Sequence, residues 1–324
     1  MTENRLQVIR DIVYGHAVAD ALGVPVEFCS RQKLKDQPVC GMRGFGYHKV
    51  PAGTWSDDTT MALAAMDSFA LGVDYEDMMG RLVAWKREAA YTATNLVFDM
   101  GVSTHFAISR YERGVSPLAC GGTDEDDNGN GSLMRIYPAV LYWHFAQKKD
   151  ACGLDEFIFD NSALTHGHLR SKLACGIYAR LLLRLLAGGG KADIPAALQE
   201  AKRHYGESAD IQSELKHFDR LFDPGFARLK EEEIISSGYV VTTLEAALWC
   251  LLTTDSYREC ALKAVNLGSD TDTVAAVAGS LAGCVYGMES IPEEWLKVLQ
   301  NRKLLEDVCD AFSKSPFTLP ENRG

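Results

Sequence analysis

No long stretch of this chain alternates polar and apolar residues with period two, which argues against a sheet as the organising architecture. There is no C-x-x-C pair either. The nine cysteines, at 29, 40, 120, 152, 175, 250, 260, 284 and 309, are scattered, and several sit inside apolar runs such as Leu248-Trp249-Cys250-Leu251-Leu252. None lies directly beside a His or a cation, so they read as reduced, space-filling thiols of a reducing compartment rather than as a disulfide framework or a nucleophile. Positive charge is also short: 33 Lys and Arg against 44 Asp and Glu leave a net charge of -11. Gripping a nucleic-acid backbone needs the opposite balance. The amino end, Met1-Thr2-Glu3-Asn4-Arg5, lacks a basic region followed by an apolar core, so neither a signal peptide nor a membrane span is expected, and the cytoplasm is the expected location.

Apolar residues instead recur at helical spacing almost throughout, as in Leu6, Ile9, Val13 and Ala17, in Leu173, Ile177, Leu181 and Leu185, and in Leu304, Val308 and Phe312. The expectation is an all-α fold of ten or more helices around a buried centre. Gly23, Gly72, Gly188-Gly189-Gly190, Gly268 and Gly287 follow periodic segments and read as helix stops. Length alone suggests about two domains, at roughly 100 to 200 residues each. No linker-like stretch divides the chain, so residues 1–324 are read as one domain.

Two acidic clusters stand where apolar helices should begin: Ser56-Asp57-Asp58-Thr59-Thr60 and Gly268-Ser269-Asp270-Thr271-Asp272-Thr273. A helix start wants one oxygen-bearing cap, and capping is the ordinary reading of either cluster alone. Two clusters need more. Each crowds like charges ahead of a helix too apolar to lie on a surface, where unpaired carboxylates cost several kcal/mol unless a cation or donors compensate. Four carboxylates with hydroxyls, and no Cys or His among them, suit a hard divalent cation such as Mg2+ or Mn2+.

Residues 30 to 58 and 114 to 138 read as irregular, glycine-rich binding loops. The run Asp124-Glu125-Asp126-Asp127 reads as a solvated tip. Gly129-Asn130-Gly131-Ser132 can bring bare backbone amides close to an anion, and a plain turn explains it as well. Asp20 falls on the apolar stripe of the first helix and reads as a buried structural acid. His166 and His168 frame Gly167, but an H-x-H without further soft ligands is a weak zinc signal.

Together these pieces resemble the ADP-ribosylglycohydrolases, the family that includes the dinitrogenase-reductase-activating glycohydrolase. The resemblance rests on Asp20-Ala21-Leu22-Gly23-Val24-Pro25-Val26-Glu27, Trp55-Ser56-Asp57-Asp58-Thr59, Asp99-Met100-Gly101, Gly129-Asn130-Gly131-Ser132-Leu133-Met134-Arg135, Thr165-His166, Gly238-Tyr239-Val240 and the second acidic cluster. It implies an all-α fold with two divalent cations, Mg2+ or Mn2+, on Ser56, Asp57, Asp58, Asp270, Asp272 and Thr273. It also implies Glu27 at the rim of the metal site, Asp99 close to the scissile ribose, a pyrophosphate over Gly129 to Ser132, and His166 and Tyr239 in the substrate pocket. Each has a plainer alternative: Glu27 as a surface acid, Asp99 as a cap of the next helix, Tyr239 as a core tyrosine. One departure stands out. The nitrogenase-regulating members place Asn after the Asp-x-Gly, whereas this chain has Val102-Ser103-Thr104.

The activity this implies is hydrolysis of the bond between ADP-ribose and a protein side chain, arginine first, by a monomer acting on an ADP-ribosylated protein. Release of ADP-ribose from serine, from a free ester or from a nucleobase keeps the same fold and changes the bond. A non-catalytic ADP-ribose-binding protein is the reading from outside enzymology.

Overall fold

The computed structural model describes residues 2–146 and 153–320, so Cys152 lies outside the described residues. They form fifteen α-helices joined by loops and short 3-10 turns, with no strand among them. The first half holds α1 (Thr2–Gly23), α2 (Arg31–Asp36), α3 (Asp57–Phe69), α4 (Tyr75–Glu88), α5 (Val102–Tyr111), α6 (Tyr137–Phe145) and α7 (Leu154–Ala163). The second holds α8 (Leu169–Leu186), α9 (Ile194–Gly206), α10 (Ala209–Leu215), α11 (Val240–Leu252), α12 (Tyr257–Asn266), α13 (Thr271–Tyr286), α14 (Glu293–Val298) and α15 (Arg302–Ser313). The all-α expectation is met. The loop expected over 30 to 58 contains one short helix, α2, started by the Ser30 hydroxyl accepting from the Lys33 amide.

Helices α1 and α13 form the axis. Both are buried on every side over most of their length, as helices apolar all round must be. Their backbones touch because the facing residues have no side chain to hold them apart. A Cβ on Gly15 would lie 2.4 Å from the Gly279 carbonyl oxygen, and one on Gly283 would lie 2.1 Å from that of Asp11. Helices α11 and α12 pack on α13, α3 and α15 on α1, and α7, α8 and α9 on one another.

Gly23 was read as a stop, and α1 does end there, but with an ordinary right-handed backbone rather than a left-handed cap. Its role is close packing: a Cβ there would meet the Asp272 nitrogen and Cα at 2.4 Å. The glycines at 72, 188, 268 and 287 do take positive φ at or beyond helix ends.

Gly279→Ala tests the contact between the two axial helices. Alanine improves helix propensity by about 1 kcal/mol, but its methyl would lie 2.3 Å from the Gly15 carbonyl oxygen. The expected net result is a loss of about 1–3 kcal/mol in denaturant unfolding. An unchanged midpoint would show that the helix pair opens freely.

Candidate metal centre and substrate cleft

The start of α3 and the start of α13 face each other across the end of α1. Ser56 caps α3, its hydroxyl accepting from the Asp58 amide at 3.2 Å and donating to the Asp58 carboxylate at 2.8 Å. Capping is therefore real, but it leaves the acids unexplained. Across the gap the Thr273 hydroxyl donates to the same Asp58 oxygen at 3.3 Å. Carboxylate oxygens of Asp20, Asp58 and Asp272 lie within 4.8 Å of one another, and so do those of Glu27, Asp270 and Asp272. Segments more than two hundred residues apart thus meet at one point.

Two anchors hold the meeting in place. Asp20, fully buried on α1, accepts from the Ser56 amide at 2.9 Å, the Thr59 amide at 3.1 Å and the Thr59 hydroxyl at 2.6 Å, tying the first turn of α3 to α1. It is the structural acid expected. On the other side the Phe28 amide donates to the Ser269 carbonyl and the Ser269 amide to that of Cys29, both at 2.8 Å. That reciprocal pair brings Glu27 beside Asp270.

The electrostatics of this point are unfavourable as the chain stands. Neither oxygen of Asp272 has a hydrogen-bond partner among the described residues, nor does Oδ1 of Asp58, and both side chains are fully buried. Burial first, then the facing carboxylates, push Asp57, Asp58 and Asp272 well above the ordinary carboxylate range. Asp270 is raised for the same leading reason, although Asn130 opposes the shift by donating to it at 2.8 Å. Burial and the charges of Asp99 and Asp270 push Glu27 up to about 10. No Lys or Arg is among the causes of any of these shifts. Unpartnered, buried, all-oxygen donors on rigid helix starts are what a hard divalent cation fits.

Above this point opens a cleft of about 320 Å³, large enough to take part of a nucleotide-sized ligand. Its lining includes Glu27, Asp57, Asp99, Asp270 and Thr273, together with Gly129, Asn130, Gly131 and His166. Glu27 is buried rather than a surface acid. Asp99 is no cap: α5 starts at Val102, the cap position is Gly101 and no side chain caps it, and Asp99 itself holds a left-handed φ of 54° in the lining.

Three expectations need correction. The Asn130 amide is taken by the Gly238 carbonyl at 3.0 Å, so it is unavailable to cradle an anion; the Asn130 side chain instead fixes Asp270. The Ser132 side chain is fully buried, accepting from the Ser162 hydroxyl at 3.0 Å, and stands away from the cleft lining. Tyr239 is also outside the lining: its ring lies 5.9 Å from the Arg170 guanidinium, and its hydroxyl accepts from that group at 3.2 Å. Only its backbone approaches, through a bridge to Gly129. The H-x-H pair does not converge, because His168 accepts from the Arg170 amide at the start of α8 while His166 turns into the cleft.

Other residues escaped sequence reasoning. Arg135, buried with no carboxylate partner among the described residues, donates to the Thr165 hydroxyl at 2.7 Å, and that hydroxyl contacts His166 Nδ1 at 2.9 Å. The chain Arg135–Thr165–His166 sets the ring that lines the cleft; only the Met-Arg ending of the glycine motif hinted at it. His48 contacts Glu27 through Nε2, packs edge-on against Tyr47 and tilted against Phe98, and has its imidazole pushed down by burial. Nothing around Gly46-Tyr47-His48 in the sequence signals that role.

Comparison with known proteins agrees with the geometry. The ADP-ribosylglycohydrolase family profile matches residues 1–320. The chain is 30% identical over 311 residues to the ADP-ribosylarginine hydrolase Tri1 of Serratia proteamaculans, covering 94% of this chain and 78% of that protein. It is 31% identical over 289 residues to the ADP-ribosyl-[dinitrogen reductase] glycohydrolase of Rhodospirillum rubrum, covering 88% and 87%. A solved ADP-ribosylglycohydrolase-related protein complex superposes with a TM-score of 0.79 at 33% identity, covering 97% of this chain and 99% of that one. With sequence, fold and a match that runs over nearly its whole length in agreement, the chain belongs to the ADP-ribosylglycohydrolase family of enzymes.

Proposed function

We propose that this protein, acting as one domain, hydrolyses the bond between C1 of the distal ribose of ADP-ribose and a protein side chain, with arginine as the acceptor. The observation that carries the reading is the Asp272 carboxylate, fully buried and without a hydrogen-bond partner among the described residues, beneath a cleft rimmed by further acids. The arginine linkage is supported by the names of the relatives, one an ADP-ribosylarginine hydrolase.

Ser56, Asp57, Asp58, Asp270, Asp272 and Thr273 would hold two divalent cations, Mg2+ or Mn2+. Such ions, when bound, supply positive charge against ribose hydroxyls and lower the pKa of water. The chain's own groups do the rest. Glycosidic cleavage passes through an oxocarbenium-like state, which the carboxylate of Asp99 in the cleft stabilises. Glu27, in the cleft lining and within 4.8 Å of Asp270 and Asp272, gives a proton to the leaving nitrogen as the C1–N bond breaks and takes one from the water that adds at C1. His166 and the glycines at 129 and 131 bound the space for the nucleotide portion.

The test is mass spectrometry of arginine-, serine- and nucleobase-linked ADP-ribose after incubation, with Mg2+, Mn2+ and chelator in parallel. Release from arginine with either ion and none with chelator is expected. Release from serine alone would move the acceptor. Turnover in a rigorously metal-stripped sample would end the cation assignment.

A further inference from the structure

Nine large apolar side chains are exposed among the described residues, and isolated ones need no explanation. Four of them gather at the mouth of the cleft. Phe28 and Val102 form part of its lining, 58% and 71% exposed. Tyr47, 63% exposed, packs edge-on against Phe28 with ring centroids 4.6 Å apart. Phe106, 53% exposed, follows Val102 by one turn of α5 and so shares its face.

Packing does not account for this group. Phe28 holds a left-handed backbone, φ 62°, a conformation that disfavours a bulky side chain. Its amide is pinned to the Ser269 carbonyl at 2.8 Å, and the outcome is a ring turned into water. Strain spent on displaying an aromatic ring beside a cleft is characteristic of a ligand-contacting position. The lining itself carries five carboxylates, Glu27, Asp57, Asp99, Asp126 and Asp270, and no Lys or Arg. The mouth is thus apolar around an acidic interior.

The geometry points to a docking surface for the substrate polypeptide: the apolar mouth takes the residues flanking the modified side chain. The substrate class is then a protein segment in which the ADP-ribosylated arginine stands between apolar neighbours, its cationic guanidinium complementing Asp99 and Asp126, lining acids that hold no ion in the reading above. This inference rests on the hydrolase reading above and narrows it from a bond to a sequence context.

The experiment compares three substrates of the full chain: ADP-ribosylarginine alone, a peptide carrying it between leucines, and the same peptide with glycine and serine flanks. The wild type should show a KM about tenfold lower for the leucine-flanked peptide than for the glycine- and serine-flanked one. Tyr47→Ser combined with Phe106→Ser, neither in the cleft lining, should erase that difference while hydrolysis of ADP-ribosylarginine stays within about twofold of wild type. Equal KM for the two peptides on the unaltered protein overturns the docking surface while leaving the hydrolase reading intact. So does a double variant that keeps the preference, or one whose only change is dissolution of a dimer in sedimentation. Failure to hydrolyse any of the three overturns the hydrolase reading, and the docking surface falls with it.

Discussion

Asp272→Asn should lower turnover by about a thousandfold or more and at the same time make the metal-free protein more stable. Both effects come from one fact: the carboxylate is fully buried and its two oxygens have no partner among the described residues. Burying a charge without a partner is destabilising, and the neighbouring acids at Glu27, Asp99 and Asp58 add to the cost. An amide of the same shape removes the charge but remains poorly bonded, so the gain in metal-free unfolding should be about 1 kcal/mol. A cation that binds only the folded state raises its stability by mass action. Titrating Mg2+ or Mn2+ should therefore raise the melting temperature of the wild type and barely move that of the variant. The assignment does not survive a variant that still turns over, or one that is stabilised by the ions as strongly as the wild type.

Asp20→Ala should act in the opposite direction on stability. Asp20 accepts from two backbone amides and one hydroxyl of the α3 start, and removing it strands the Ser56 and Thr59 amides and the Thr59 hydroxyl in a fully buried place. Each buried donor left without an acceptor costs about 1–3 kcal/mol, and relief of repulsion from Asp58 returns part of it, so a net loss of about 3 kcal/mol is expected. Asp20→Asn keeps an acceptor oxygen and should lose less. Because Asp20 ties the first turn of α3 to α1, the alanine variant should also bind cations more weakly although Asp20 is not among the proposed ligands. Denaturant unfolding in chelator, followed by a calorimetric titration with Mn2+, reads both quantities. An alanine variant as stable as wild type would show that α3 is held by packing alone.

The helices were legible because their signal is local. In α8 and α15 the apolar spacing seen in the sequence is the face found buried. The acidic clusters were legible for a different reason: too many like charges before helices too apolar to be exposed is a contradiction that the sequence states openly. Positions whose role depends on a distant partner were not legible. Gly23 reads as a helix stop, and only the approach of Asp272 makes it a contact residue. Ser132 and Tyr239 sit in cleft-associated motifs, yet Ser162 and Arg170, reached through other helices, hold their side chains elsewhere. His48 lies in a loop without periodicity, and its contact with Glu27 depends on how residues 42–53 fold back over the end of α1.

What the amino-acid sequence determined by itself was the helical class, the two charged starts and the kind of ion they suit, since propensity, periodicity and charge are carried by neighbours along the chain. The tertiary structure alone decided that the two starts converge, that Asp272 is left without a partner, and that four apolar side chains ring the cleft. Those outcomes arise where the axial helices touch backbone to backbone, at Gly15, Gly279 and Gly283, because that approach sets how close the distant loops at the helix ends come to one another.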